Sequence, residues 1–236
     1  MSARASLRIA LVAATLAAAP PASAQMFMDT SIYQPDMHML NMDFMNQNIR
    51  NGMGMSEIPA QSDSAPMELA FTPDPVIRQQ VIDAFVTDAV NGGAPEAAAL
   101  WQMDVFGALS AALRPYGLET TDLGDAMTAY MIELHDAANL RSSDPSAATV
   151  SALRAQIEGA FAADGSAPVS AAERQRQSDR ILLQAAMISG AKDVAMTQAP
   201  PEQRDAFQQA MVALGRDMYG LDLRDVALGA NGFALQ

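Results

Sequence analysis

The chain of 236 residues carries 27 acidic and 14 basic side chains, a net charge of −13 at neutral pH, and it contains no cysteine. An acidic protein repels phosphate backbones and anionic lipid headgroups, so nucleic acid and membrane surfaces are poor partners for it. The lack of cysteine excludes disulfide bonds, thiolate metal sites and a cysteine nucleophile.

The first 24 residues have the pattern of a signal peptide for export. Arg4 and Arg8 give a positively charged start, an apolar run follows at 9–19, and Ala22-Ser23-Ala24 supplies the small residues of a cleavage site. Neither this run nor any later one is long enough to span a membrane. We therefore expect an exported protein, periplasmic or secreted, that begins at Gln25 with 12 basic and 27 acidic residues, a net charge of −15.

Residues 25–68 predict a disordered, methionine-rich tail, because Pro, Gly, Asn and Gln are frequent and no helical period is sustained. Several methionines form M-x-M and M-x-x-M pairs around a histidine. The candidate metal ligands in this pattern are Met37, His38, Met39, Met42, Met45, Met53 and Met55. Thioethers are soft, neutral ligands that select Cu(I) or Ag(I). The alternative is that the methionines are adaptable apolar side chains for contact with the domain itself or with a protein partner.

From residue 69 the sequence predicts helices with proline starts and glycine or proline stops. The first helix starts at Asp74-Pro75 and stops at Asn91-Gly92-Gly93. Its predicted buried face is Val76, Ile77, Val81, Ala84 and Phe85. The second starts near Pro95-Glu96 and stops at Arg114-Pro115. Its predicted buried residues are Leu100, Trp101, Val105, Leu109 and Leu113.

The third and fourth helices begin at Thr121-Asp122 and at Asp144-Pro145, where an aspartate can cap the first turn. The predicted inward residues of the third are Leu123, Met127, Tyr130, Met131 and Leu134. Those of the fourth, spaced by three and four, are Val150, Leu153, Ile157 and Phe161.

The fifth helix is predicted to be the centre of the fold. Its segment 181–191, ILLQAAMISGA, is apolar on all sides, which indicates a buried helix too short for a membrane. A capping box at Ser170 and Glu173 starts it, and its first turns are expected to be charged and exposed. A sixth helix buries Phe207, Met211, Leu214 and Met218 and stops at Gly220.

No convincing strand is predicted, because β-branched residues are sparse and alanine dominates the elements. The short segment 221–228 is expected to be a turn of helix or an extended segment that covers the core. The expected fold is an all-α, compact bundle of about six helices around a buried central helix, occupying residues 69–236 behind the tail.

Three motifs occur in a fixed order: FTPDPVIR at 71–78, YGL at 116–118 leading to DAMTAY at 125–130, and GLDL at 220–223 leading to Gly232-Phe233. This order resembles a family of secreted, helical bacterial proteins known only as a domain of unknown function. The resemblance covers 68–233, although relatives often carry Trp in the third helix, where this chain has Met131 and Leu134. It implies export and a helical fold, and it carries over no activity, cofactor or functional residue.

His135 is the only histidine of the helical domain and stands between Glu133 and Asp136 near a helix end. A cation is favourable there, so a cap or surface role is expected. The alternative role, a general base, requires a substrate pocket. The charged series Arg174, Arg176, Arg180, Glu173 and Asp179 is expected to form a solvated face.

The sequence contains no glycine-rich phosphate loop, zinc motif or nucleophile elbow. We therefore expect a non-enzymatic exported protein without a cofactor, which binds an unknown protein partner through its tail or through a helical groove. The alternative function is binding of Cu(I) or Ag(I) by the methionine-rich tail.

Overall fold

A computed structural model describes residues 68–91, 95–163 and 170–236. The predicted signal peptide and the predicted tail, apart from Glu68, lie outside these ranges, and so do all seven candidate metal ligands. The described residues contain the α-helices α1 (Pro75–Asn91), α2 (Val105–Leu113), α3 (Leu123–Ala138), α4 (Ala147–Ala163), α5 (Ala171–Thr197) and α6 (Pro201–Tyr219). The prediction of an all-α bundle is confirmed.

The central position of α5 is also confirmed, since every residue from Ile181 to Ala191 is buried. It shares the centre with α3, whose residues Leu123–Ala138 are all buried. Helices α4, α5 and α6 all pack against α3, which explains why it has no exposed face. The predicted inward stripe of this helix is therefore correct but incomplete.

Helix α1 buries only part of the predicted face: Phe85 is buried, and Ile77 and Val81 are half-buried. Its buried residues are Ile82, Phe85, Val86 and Ala89. Val76 is 63% exposed and Ala84 is also exposed, so the prediction is wrong for both. The helix carries apolar side chains at helical spacing on two sides, and only packing against α5 and the following segment selects one of them.

The predicted second helix is split into a 3₁₀ helix at Pro95–Gln102 and α2. Asp104 separates them because its carboxylate accepts the Gly107 N–H at 3.0 Å and caps α2. Trp101 lies on the 3₁₀ helix and is 51% exposed, so its predicted burial is wrong. The other predicted residues of this helix, namely Leu100, Val105, Leu109 and Leu113, are buried.

The predicted glycine stop at Gly220 is confirmed by its φ angle of 64°, and Gly117, which follows the 3₁₀ turn at Arg114–Tyr116 after α2, has a φ angle of 73°. This left-handed conformation favours glycine and ends the helix. The predicted core residues of the last three helices are also buried, except for a half-buried Met218: Val150, Leu153, Ile157, Phe161, Phe207, Met211 and Leu214. No helix in the described part of the chain has both the length and the apolar character needed to cross a membrane.

A C-terminal hairpin is absent from the sequence prediction. After a 3₁₀ turn at Leu223–Asp225, β1 (Val226–Gly229) pairs antiparallel with β2 (Gly232–Leu235). Four-residue strands containing Ala and Gly have little intrinsic β-propensity, so composition argues against them. The signal that could have found the hairpin is Asn231-Gly232, a dipeptide typical of tight hairpin turns.

Candidate functional site

A buried polar cluster joins α3 to α5. Its members Glu133, His135, Asp136 and Lys192 are each at most 2% exposed. The expectation of a cap or surface role for His135 is therefore wrong. The side chain lies at the C-terminal end of α3, but the hairpin closes over it, and the Phe233 ring centroid is 5.0 Å from that of the imidazole.

Lys192 and Glu133 form the ion pair at the centre of this cluster. The Lys192 Nζ is 2.7 Å from the Glu133 Oε2 and 3.9 Å from the Asp136 Oδ2. Burial raises the pKa of Glu133, while the Lys192 ammonium opposes that rise. The chain has no other lysine, so its one ammonium side chain is held inside the protein.

The hydrogen bonds of His135 define its tautomer. Its Nδ1 is 3.2 Å from the Arg141 Nη2, and a guanidinium can only donate, so Nδ1 accepts. Its Nε2 therefore carries the hydrogen and donates to the Val226 carbonyl at 2.9 Å. Both ring nitrogens are engaged by protein groups, and the imidazole connects α3 to β1.

Asp136 fixes the loop that follows α3. Its carboxylate accepts the Ser143 N–H at 2.6 Å and the Ser143 hydroxyl at 2.8 Å. Arg141 adds a bond from its Nε at 3.3 Å. Burial acts to raise the pKa of Asp136, while the hydrogen bonds from Ser143 and the Lys192 charge act to lower it. These hydrogen bonds attach the loop to the C-terminal end of α3.

Within the described ranges, no group of three or more His, Asp or Glu side chains is arranged to hold a metal ion. In the buried cluster, each charge faces an opposite charge or a hydrogen-bond donor of the protein. The arrangement neutralises these charges inside the core and connects α3, α5, the 139–146 loop and β1.

A second polar network fixes the strap, residues 68–74, which connects the methionine-rich segment to α1. The Leu69 carbonyl accepts the Leu123 N–H at 3.1 Å, and the Phe71 N–H donates to the Thr121 carbonyl at 2.9 Å. On the side of α5, Arg174 Nε donates to the Ala70 carbonyl at 3.1 Å. The strap thus has partners along both edges.

Gln175 and Asp179 complete this network from the first turns of α5. The Gln175 amide accepts the Asp74 N–H and donates to the Asp74 carbonyl, both at 2.8 Å. Asp179 pairs at 3.0 Å with Arg78, whose guanidinium lies 4.0 Å from the Phe106 ring centroid. The predicted solvated face is wrong for two buried residues: Arg174, which binds the strap backbone, and Asp179, which pairs with Arg78 of α1. It is correct for Glu173, Arg176 and Arg180.

The aspartates at helix starts act as caps. Asp122 accepts the Asp125 N–H at 3.0 Å at the start of α3, and Asp222 accepts the Arg224 N–H at 3.0 Å after α6. The Asp125 carboxylate faces inward and pairs with Arg154 at 2.6 Å. Burial raises the pKa of Asp125 to about 6.

Comparisons with protein families, with curated proteins and with solved structures find no match to this chain. The resemblance to secreted helical proteins therefore stays a prediction, and the function is inferred from the residues of the chain itself.

Proposed function

We propose that the protein is an exported, non-enzymatic binding protein, periplasmic or secreted, in which the helical domain anchors the methionine-rich segment for contact with a protein partner. The strap is the observation that carries this proposal. Arg174 and Gln175 bind its backbone and are buried in doing so, and the segment therefore joins the domain at a fixed point, Glu68. Export is supported by the signal pattern of 1–24.

A structural role for the buried cluster supports the non-enzymatic part of the proposal. Both nitrogens of His135 are engaged, and the carboxylates of Glu133 and Asp136 face Lys192. Among the residues that the structure describes, the Glu133 Oε1 has no hydrogen-bond partner, but it is buried in the core, and a general base must lie within reach of a substrate. The net charge of −15 expected for the exported chain likewise disfavours nucleic acid as the partner.

Hydrogen exchange of the exported chain, alone and with an envelope extract of the producing bacterium, tests this function. We expect amides of 25–67 to gain protection only with the extract. Replacing Met37, Met39, Met42 and Met45 by serine should remove that gain, whereas replacing them by leucine, which keeps apolar contacts, should retain it. Protection that is already complete without extract, or that never appears, would contradict the proposal.

The spacing of the methionines around His38 favours a second candidate function, binding of Cu(I) or Ag(I) by Met37, His38, Met39, Met42, Met45, Met53 and Met55. Two or three thioethers and an imidazole within a short stretch of sequence match the preferences of these soft ions. A Cu(I) titration under reducing conditions should give submicromolar binding to the exported chain. The same leucine variant should lose it, so one pair of variants separates the two functions. If the exported chain and its leucine variant bound Cu(I) equally or negligibly, the metal-binding function would be excluded.

A further inference from the structure

Three exposed apolar side chains and an exposed aspartate lie along α1 and the 3₁₀ helix that follows it. They are Val76, Asp83, Val90 and Trp101, and together they are called the Trp101 face. The three α1 residues are spaced by seven, which is two helical turns, so they share one side of the helix. Val76, Val90 and Trp101 are 63%, 37% and 51% exposed. The Trp101 Nε1 donates to the Asp83 Oδ1 at 3.0 Å, which places the indole at the middle of this row, with one valine two helical turns away on each side.

The charge around the Trp101 face is negative. Asp83 lies at its centre, while Arg78, the only basic residue of α1, is directed to Asp179 instead. Residues 68–236 contain 22 acidic and 11 basic residues. The segment 25–67 contains five acidic residues and one basic residue, so it would meet like charge on this face. The same repulsion disfavours a second copy of the chain as the occupant.

We infer that the Trp101 face binds a basic, amphipathic polypeptide segment of a partner protein. Apolar side chains of that segment pack against Val76, Val90 and the indole, and a lysine or arginine pairs with Asp83. Tryptophan is one of the residue types enriched at the energetic centre of such contacts, and its ring also attracts cations. The inference rests on the proposed binding function and adds the chemistry of the partner.

The chain provides its own reporter for this contact, because Trp101 is its only tryptophan. The probes are synthetic helical peptides of about 18 residues, five turns, with leucine on one face. One has lysine on the other face and the second has glutamate. The lysine peptide should shift the Trp101 emission to the blue in a saturable titration of the exported chain, and the glutamate peptide should leave it unchanged. Vesicles of phosphatidylglycerol should also leave it unchanged.

Matched variants separate the Trp101 face from general attraction between opposite charges. Val76→Ser with Val90→Ser keeps the net charge and should weaken binding of the lysine peptide about tenfold. Asp83→Asn keeps an acceptor for the indole and should weaken it about threefold, with a smaller salt dependence. The control pair Met196→Ser with Leu235→Ser, two other exposed apolar residues, should bind like the unmodified chain.

Equal weakening in the valine and control pairs, no binding of the lysine peptide, or a response to phosphatidylglycerol vesicles instead would overturn the inference. The proposed function fails separately, in the hydrogen-exchange experiment. If the envelope extract still protects the Val76→Ser, Val90→Ser chain, binding is retained and the Trp101 face is not its site.

Discussion

At the residue scale, Lys192 shows how a charge is tolerated in the core of this protein. Its Nζ meets the Glu133 carboxylate at 2.7 Å, with the Asp136 carboxylate at 3.9 Å. Such a pair loses hydration when it is buried, so its net contribution to stability is small. Removing one partner is far more costly than removing both, because the remaining charge is left without compensation.

We expect Lys192→Met to lower the free energy of unfolding by about 3–5 kcal/mol, because it leaves the Glu133 and Asp136 carboxylates close together inside the core. Adding Glu133→Gln to this variant should restore part of the loss. Urea unfolding of the two single variants and the double variant measures the coupling. Additive losses would show that the two side chains do not act as a pair.

Asp125 gives the chain a pH dependence whose sign follows from its pKa. The pKa is raised to about 6 in the folded protein, against about 3.9 in an unfolded chain, so the folded state binds the proton more tightly. Tighter binding of this proton by the folded state stabilises the fold below pH 4, and this stabilisation is lost as the pH rises through 6. Between pH 4 and pH 7 the free energy of unfolding therefore falls, and Asp125→Asn should reduce this fall by up to about 3 kcal/mol.

The control for this pH experiment is Glu158→Gln, since Glu158 also pairs with Arg154 but is 43% exposed in its side chain. Chemical unfolding of both variants at several pH values gives the comparison. A pH profile of Asp125→Asn that is parallel to that of the unmodified chain would contradict the assignment.

At the scale of elements, two glutamines act as substitutes for a neighbouring strand. Gln175 accepts the N–H of Asp74 and donates to its carbonyl in the strap. Gln156 does the same for Phe233 in β2, at 2.8 and 3.0 Å. Each amide satisfies two backbone groups that would otherwise need water, and each attaches a short extended segment to a helix.

Gln156→Leu should lower the free energy of unfolding by about 2–4 kcal/mol, because it leaves the buried N–H and carbonyl of Phe233 unpaired. Hydrogen exchange of residues 226–235 should also become faster. The control is Gln209→Leu on the exposed side of α6, which should change neither quantity. Unchanged exchange in the hairpin of Gln156→Leu would show that packing alone holds it.

The same elements show how far sequence reasoning reaches. The apolar run 181–191 predicts the central helix, because a helix without a polar face must be buried. The burial of His135 is not predictable in this way, since the neighbouring charges suggest a solvated helix end. What buries it is the hairpin, which is 91 residues away at Val226, and such long-range contacts leave no local periodic signal.

At the scale of the whole molecule, the sequence predicts the local features of the candidate site but not the contacts that join distant parts of the chain. The methionine pattern and the cap residues are local, so the sequence shows them directly. The strap network joins Ala70 to Arg174 and Asp74 to Gln175, pairs that are 104 and 101 residues apart. In the sequence Arg174 and Gln175 belong to a charged helix start, for which exposure is the usual outcome. Only the folded bundle places the backbone of the strap next to the side chains of Arg174 and Gln175.

One hydrophobic cluster contains residues from all six helices and from the hairpin, so the domain should unfold as a single unit. Lys192 provides a test, because its amine is the only one on a side chain and is 2% exposed. An amine-selective reagent should therefore label Lys192 only in molecules that have unfolded. The urea midpoint of labelling, read by mass spectrometry, should coincide with the midpoints of circular dichroism and of Trp101 fluorescence. Labelling at lower urea would show that α3 and α5 separate before the helices melt, and that the buried ion pair belongs to a less stable part of the fold.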